Sequence, residues 1–179
     1  MPNWCMNQFT VKHEDEEMLN MFVEAVNNGN LFQTFIPMPE EYKEGDRWYG
    51  WSVSNWGTKW DISNGAIAEF VDKNTAKGFF DTAWSPPIEA FNKLTDMGFE
   101  LDVLYDEEGM AFIGVFNSVY GEQTYEYNFE DPEWRVGIDN DAVLEILEER
   151  YDMWLEQQED QQDYFDSLED EQEEEQSNG

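Results

Sequence analysis

Glycine and proline punctuate this chain as far as Gly137 and then stop. Beyond it there is no proline, and no glycine before the last residue. These residues make turns and breaks possible, so the first part can hold several elements and the last part cannot. Charge divides at the same place. Residues 1–138 carry 25 acids and 8 bases, a net −17, and residues 139–179 carry 17 acids against Arg150 alone, a net −16. A boundary after residue 138 follows, with a domain before it and an acidic appendage after it. Together the two parts give 179 residues a formal charge of −33 and a pI near 4.1.

Such acidity excludes direct binding to DNA or RNA backbones, which need clustered Lys and Arg, and disfavours anionic membrane surfaces. It does not imply disorder throughout, because 16% of the residues are aromatic, including 8 Trp and 13 Phe, whereas acidic disordered chains are poor in aromatics. The single cysteine, Cys5, excludes an internal disulfide and a cysteine-cluster metal site. The start, MPNWCMNQFTV, lacks the basic and apolar regions of a signal peptide. No run approaches the ~18 apolar residues of a membrane span. The expected location is the cytoplasm of a bacterial host.

Within 1–138 the pattern is α+β. Met6–Lys12 alternates as a strand with Phe9 and Val11 on one face. Asp15 caps a helix over 16–27 with Met18, Phe22 and Val26 spaced by four and Leu19 and Val23 beside them, and Asn28-Gly29 ends it. A long, irregular, Trp-rich insert spans 31–64. Ala66–Asp72 and Gly78–Trp84 form a hairpin around Lys73-Asn74-Thr75. Ser85 then N-caps a helix with Pro86 and Pro87 in its first turn, an apolar stripe of Ile88, Phe91 and Leu94, and Gly98 at its end. Phe99–Tyr105, Met110–Val119 and Gln123–Phe129 are strand-like. The order is the βαββαβ of a ferredoxin-like sandwich with extra C-terminal strands. After it, Asp139 or Asn140 caps an acidic amphipathic helix over 139–165 with Val143, Leu147, Tyr151 and Trp154 on one stripe. Residues 166–179, low in complexity, are expected to be a disordered acidic tail.

Two strings are unusual: Asn55-Trp56-Gly57-Thr58-Lys59-Trp60-Asp61 and Thr82-Ala83-Trp84-Ser85-Pro86-Pro87. With the opening Pro2-Asn3-Trp4-Cys5, they resemble the YubB-type ferredoxin-like domain family carried by phages and conjugative plasmids. The resemblance covers roughly residues 1–120, with 139–179 outside it. It implies the ferredoxin-like fold and a mobile-element origin, and it implies no activity.

Trp56 and Trp60 bracket Lys59, so two indole faces beside an ammonium could hold a base and its phosphate. Arg47 and Trp84 would assist. The plainer reading puts the tryptophans in the core, pairs Lys59 with an acid such as Asp61, and makes the second string a strand end, cap and helix start. No catalytic residues, metal or cofactor are expected. His13 has no second His or Cys partner, Cys5 reads as a buried strand thiol, and Asp106-Glu107-Glu108-Gly109 lacks the spacing of a Ca²⁺ loop. The charge is the stronger signal. A field comparable to that of duplex DNA attracts basic proteins. The expected function is therefore a non-enzymatic DNA mimic that inhibits a basic host defence nuclease or other nucleic-acid-binding factor. Its partner-binding residues are Glu145, Glu148, Glu149, Tyr151, Asp152, Trp154, Glu156, Glu159 and Asp160. A nucleotide-signal sponge at the Trp/Lys pocket is the alternative, and a homodimer through the C-terminal stripe is a further use of that helix.

Overall fold

The computed structural model describes residues 3–62 and 65–177. Pro2 of the opening string, residues 63–64 of the insert and the last two residues of the tail lie outside the described residues.

Strand β1 (Trp4–Lys12) alternates in burial along its length, so Cys5, Asn7, Phe9 and Val11 point to the core and Trp4, Met6, Gln8, Thr10 and Lys12 to the other face. Helix α1 (Glu16–Asn27) starts where the Asp15 carboxylate accepts the Glu17 N–H at 2.8 Å, and it buries Leu19, Phe22, Val23, Ala25 and Val26. Gly29, at φ +71°, turns the chain out of it.

The segment expected to be irregular is helical. It holds α2 (Leu31–Phe35), α3 (Glu40–Lys43) and α4 (Arg47–Trp56). Leu31, Phe32, Phe35, Ile36, Met38, Trp56 and Ile62 join the core. Pieces this short, interrupted by Pro37, Pro39 and Gly45, are too brief to display a period. Tertiary packing, not propensity, stabilises helices of this length.

Strands β2 (Ile67–Asp72) and β3 (Thr75–Ala83) form the expected hairpin around Lys73-Asn74. Helix α5 (Ile88–Asp96) buries Ala90, Phe91 and Leu94. Its N-cap is Pro87 with no side-chain cap bond. Ser85, expected to cap it, instead donates its hydroxyl to the Gly57 carbonyl at 3.0 Å. β4 (Glu100–Glu107), β5 (Phe112–Asn117) and β6 (Gly121–Glu126) follow. Among the described residues the six strands form one antiparallel sheet in the order β2-β3-β1-β4-β5-β6. The β2-β3-β1-β4 portion with α1 and α5 is the ferredoxin-like arrangement, and β5 and β6 extend it beyond β4. Phe9 meets Phe22 of α1 at 5.6 Å and Phe80 meets Phe91 of α5 at 6.3 Å, so both helices cover the same face. The opposite face leaves Trp4, Met6, Ile67 and Phe79 exposed.

The chain divides into two compact units, 1–126 and 127–179, rather than at residue 138. In the second unit, α6 (Asp141–Ser177) begins where the Asn140 side chain accepts the Val143 N–H at 3.1 Å. Tyr151 of α6 lies 5.6 Å from Phe129, 5.2 Å from Trp134 and 5.8 Å from Trp154. Arg135 stacks on Trp134 at 4.3 Å and pairs with Glu148 at 3.2 Å. These aromatic contacts tie 127–138 to the helix and move the boundary upstream of Gly137. The helix continues to Ser177, through the stretch from 166 onward expected to be disordered. No helix among the described residues is long and apolar enough to cross a membrane.

Candidate functional site

The two unusual strings lie side by side and are bonded to each other. Helix α4 ends at Gly57, which adopts φ +79° and whose N–H bonds the Val53 carbonyl at 3.1 Å. Only glycine suits this turn. A Cβ there would approach the backbone nitrogens of Ile88 and Glu89 at 3.0 and 3.1 Å, so the turn packs directly on the start of α5. Thr58 is buried and donates to the Ala83 carbonyl at 3.1 Å. The Ser85 hydroxyl bonds back to Gly57, and Thr82 Oγ1 donates to the Ser85 carbonyl at 2.7 Å.

Most residues of these strings therefore have structural duties. Asn55 receives the Lys93 ammonium on its side-chain oxygen at 2.7 Å and on its carbonyl at 3.0 Å. Trp56 is 5% exposed, donates its indole N–H to the Ile36 carbonyl at 3.0 Å and meets Phe32 and Trp51 edge-on or tilted at 5.9 and 5.4 Å. It is core, not a ligand platform. Asp61 caps α2, accepting the N–H groups of Phe32 and Gln33 at 2.9 and 2.8 Å. Burial pushes its carboxyl above the usual range, against the pull of these same bonds. Being so engaged, Asp61 is not the partner of Lys59.

Three residues of the strings project outward instead: Lys59, Trp60 and Trp84. Trp60 is 39% and Trp84 42% exposed, with ring centroids 6.3 Å apart. The Lys59 ammonium lies over both rings, at 4.3 and 4.9 Å, and 6.0 Å from the Tyr49 ring. Trp4, at the start of β1, continues the row 6.5 Å from Trp60. Trp84 holds a backbone φ of +68°, rare for a bulky residue, with its N–H on the Asn3 carbonyl at 2.9 Å. The site expected at Arg47, Trp56, Lys59, Trp60 and Trp84 is thus rearranged. Lys59, Trp60 and Trp84 converge, and Trp56 faces inward. Arg47 bonds the Glu41 carbonyl and lies 5.7 Å from the Tyr42 ring. Trp4 and Tyr49 complete the cluster. Trp4 stood in the opening string and was legible as a family feature; nothing in the spacing marked Tyr49.

The other residues with reactive side chains are occupied structurally. Cys5 is fully buried, and burial pushes its thiol up to about 12, which removes the thiolate needed for attack. His13 accepts the Asp15 N–H at 3.0 Å on Nδ1, places Nε2 3.2 Å from the Met97 carbonyl and packs on Phe99 at 4.6 Å. It joins the entrance of α1 to the exit of α5. The Glu107 carboxylate accepts the N–H groups of Gly109 and Met110 at 3.0 and 2.6 Å, shaping its own turn. Among the described residues no group of three His, Cys, Asp or Glu is arranged to hold a metal.

On α6, Glu145, Glu148, Glu149, Asp152, Glu156, Glu159 and Asp160 are exposed. Tyr151 and Trp154 are partly buried in their own aromatic cluster, where they hold the helix as well as showing an edge.

The chain matches the family described as a ferredoxin-like domain in Api92-like protein over residues 55–178. This span begins at Asn55 and runs through α6. This match takes in the acidic segment and leaves β1 and α1 outside it. No curated protein matches the chain. A crystal structure of a protein api92 from Yersinia pseudotuberculosis is similar at 17% identity with a TM-score of 0.42, over 54% of this chain and 39% of that one. The chain thus spans well under half the length of that protein. With most of its sequence matched, the chain belongs to the family of ferredoxin-like domains of Api92-like proteins.

Proposed function

We propose that this chain is a non-enzymatic binding protein of a phage or plasmid. It engages a basic host protein, a defence nuclease or other nucleic-acid-binding factor, and blocks it by presenting a DNA-like field. One observation carries the reading: the acids beyond Asp141 are strung on a single helix. Asp141–Ser177 holds 16 acids and only Arg150 as a base, a net −15 over 37 residues. At 1.5 Å per residue that is roughly one net charge per 4 Å, near the 3.4 Å phosphate spacing of one DNA strand. A rod of such spacing raises the association rate of basic partners, and does so less at high salt.

The test uses the full chain and a variant with Glu156, Glu159 and Asp160 changed to Gln, Gln and Asn, which keeps the helix. Capture from bacterial lysate at low and high salt, with duplex DNA as competitor, is the measurement. The expected partner is basic, salt-sensitive, displaced by DNA and weakened by the substitutions. Binding undiminished in the variant overturns the charge mechanism.

A second reading is the nucleotide sponge, which the absence of any ion pair on Lys59 among the described residues favours. Its site would be Lys59, Trp60 and Trp84 without Trp56 or Arg47. Calorimetry with nucleotides and cyclic nucleotides tests it, and no heat across the panel removes it.

A further inference from the structure

We infer that the row Trp4–Trp60–Trp84, with Tyr49 beside it, is a docking surface that seats an arginine side chain of a basic protein partner. This rests on reading the chain as a binder of basic proteins and adds a second contact, remote in sequence from the acidic helix.

Four observations carry it. First, four large aromatic side chains stand clustered in solvent, Trp4 at 45% and Tyr49 at 46% exposure beside Trp60 and Trp84. Exposed aromatic clusters mark interaction sites, and Trp, Tyr and Arg dominate binding energy there. Second, the cluster already takes a cation, because Lys59 lies 4.3 and 4.9 Å from two ring centroids. Third, Trp84 is displayed at a backbone angle that suits glycine. Its neighbours Thr82 and Ser85 fix the turn by hydrogen bonds, and the Trp84 ring faces Trp60 and the Lys59 ammonium. Strain of this kind persists where the surrounding structure imposes it and is concentrated at functional sites. Fourth, charge selects the occupant. One lysine in a chain of net −33 gives an anion little attraction, while a partner's cation is drawn in by the whole field. A guanidinium is planar and weakly hydrated, so it can stack along a row of indoles as a compact ammonium cannot. Met6, exposed on the same sheet face two residues along β1 from Trp4, adds apolar surface.

The experiment follows the indole N–H signals of the full chain by NMR at physiological salt. The probe is a glycine-serine-spaced peptide with four arginines, with its lysine and citrulline counterparts as comparisons. The arginine peptide is expected to shift the Trp60 and Trp84 signals and to bind more tightly than the lysine peptide. Trp84→Gly, at a position that accepts glycine, should weaken it about tenfold, as the loss of a partly desolvated cation–π contact. Trp60→Ala is the second variant and should behave alike. Lys59→Met empties the cluster of its own cation and should strengthen the peptide relative to Lys73→Met, which changes the charge equally at an exposed turn.

Unchanged peptide affinity in both tryptophan variants overturns the inference. So does a response of Trp60 and Trp84 to cyclic nucleotides that Lys59→Met abolishes, which would make the cluster an anion site. The α6 amide variant separates the two proposals. If it loses the peptide while Trp84→Gly keeps it, the docking surface is wrong and the acidic helix stands. If Trp84→Gly loses the peptide while the amide variant keeps it, the docking surface stands and helix mimicry is wrong.

Discussion

Trp84 adopts φ +68°, where the Cβ of an L-residue crowds the following carbonyl at a cost of about 1–2 kcal/mol. The turn is fixed by the bonds among Gly57, Thr58, Thr82, Ala83 and Ser85, so the strain is borne by Trp84 alone. Replacement by alanine keeps the strain and loses the ring; replacement by glycine loses both. Trp84→Gly should therefore be more stable than Trp84→Ala by about 1 kcal/mol, the reverse of the usual order. Denaturant unfolding of the two variants measures it, and equal midpoints would show that the turn relaxes on substitution. Trp56 differs although it sits in an equally unusual string. Its indole N–H has a carbonyl partner and its ring has neighbours, so it stabilises the core.

At the scale of elements, the sheet extends beyond a four-stranded ferredoxin-like core because one residue in β5 has no side chain. The Tyr105 ring crosses β5 at Gly114 and sets its hydroxyl 2.5 Å from Thr124 Oγ1 and 3.1 Å from Glu122 on β6. Burial holds that phenol protonated well above its ordinary range, so it is a standing hydrogen-bond donor at any working pH. A methyl at Gly114 would collide with the Tyr105 ring and with the Gln123 carbonyl. Gly114→Ala should thus cost about 1–3 kcal/mol by overpacking, with β6 amides exchanging fastest. Hydrogen exchange beside a denaturation curve tests this. Uniform protection across β4, β5 and β6 in the variant would mean that the ring finds another path.

For the whole molecule, the balance between burial and repulsion differs along the chain. The first unit has a continuous aromatic and aliphatic core. On α6, Val143 and Leu147 are fully buried and Tyr151 and Trp154 lie in a ring cluster, but beyond Leu155 acids dominate. Glu156 and Asp160, and Glu159 and Asp163, stand four apart, and each such like-charge pair opposes a helix by about 0.2–0.5 kcal/mol. Helicity of the far part of α6 should therefore rise with added salt, which screens the repulsion. Far-UV circular dichroism of the full chain against a chain ending at residue 158 isolates the signal. A difference spectrum insensitive to salt would show that repulsion does not govern this segment.

What the sequence by itself determined is what depends on neighbours along the chain. The alternation of β1, the span and Asp15 cap of α1, the β2–β3 hairpin, the βαββαβ order and the concentration of acid after Gly137 were all legible, because pleat, helical period, capping and charge are local. The tertiary structure decided what depends on residues far apart. The helices in 31–56 form because Phe32, Phe35 and Trp56 find partners in the core, and the second unit begins at Tyr127 because Phe129 and Trp134 meet α6. Spacing cannot separate Trp56 from Trp60. The first is buried and the second is presented because Gly57 reverses the chain between them and Thr58 fastens the turn to Ala83, a bond that links positions 25 residues apart.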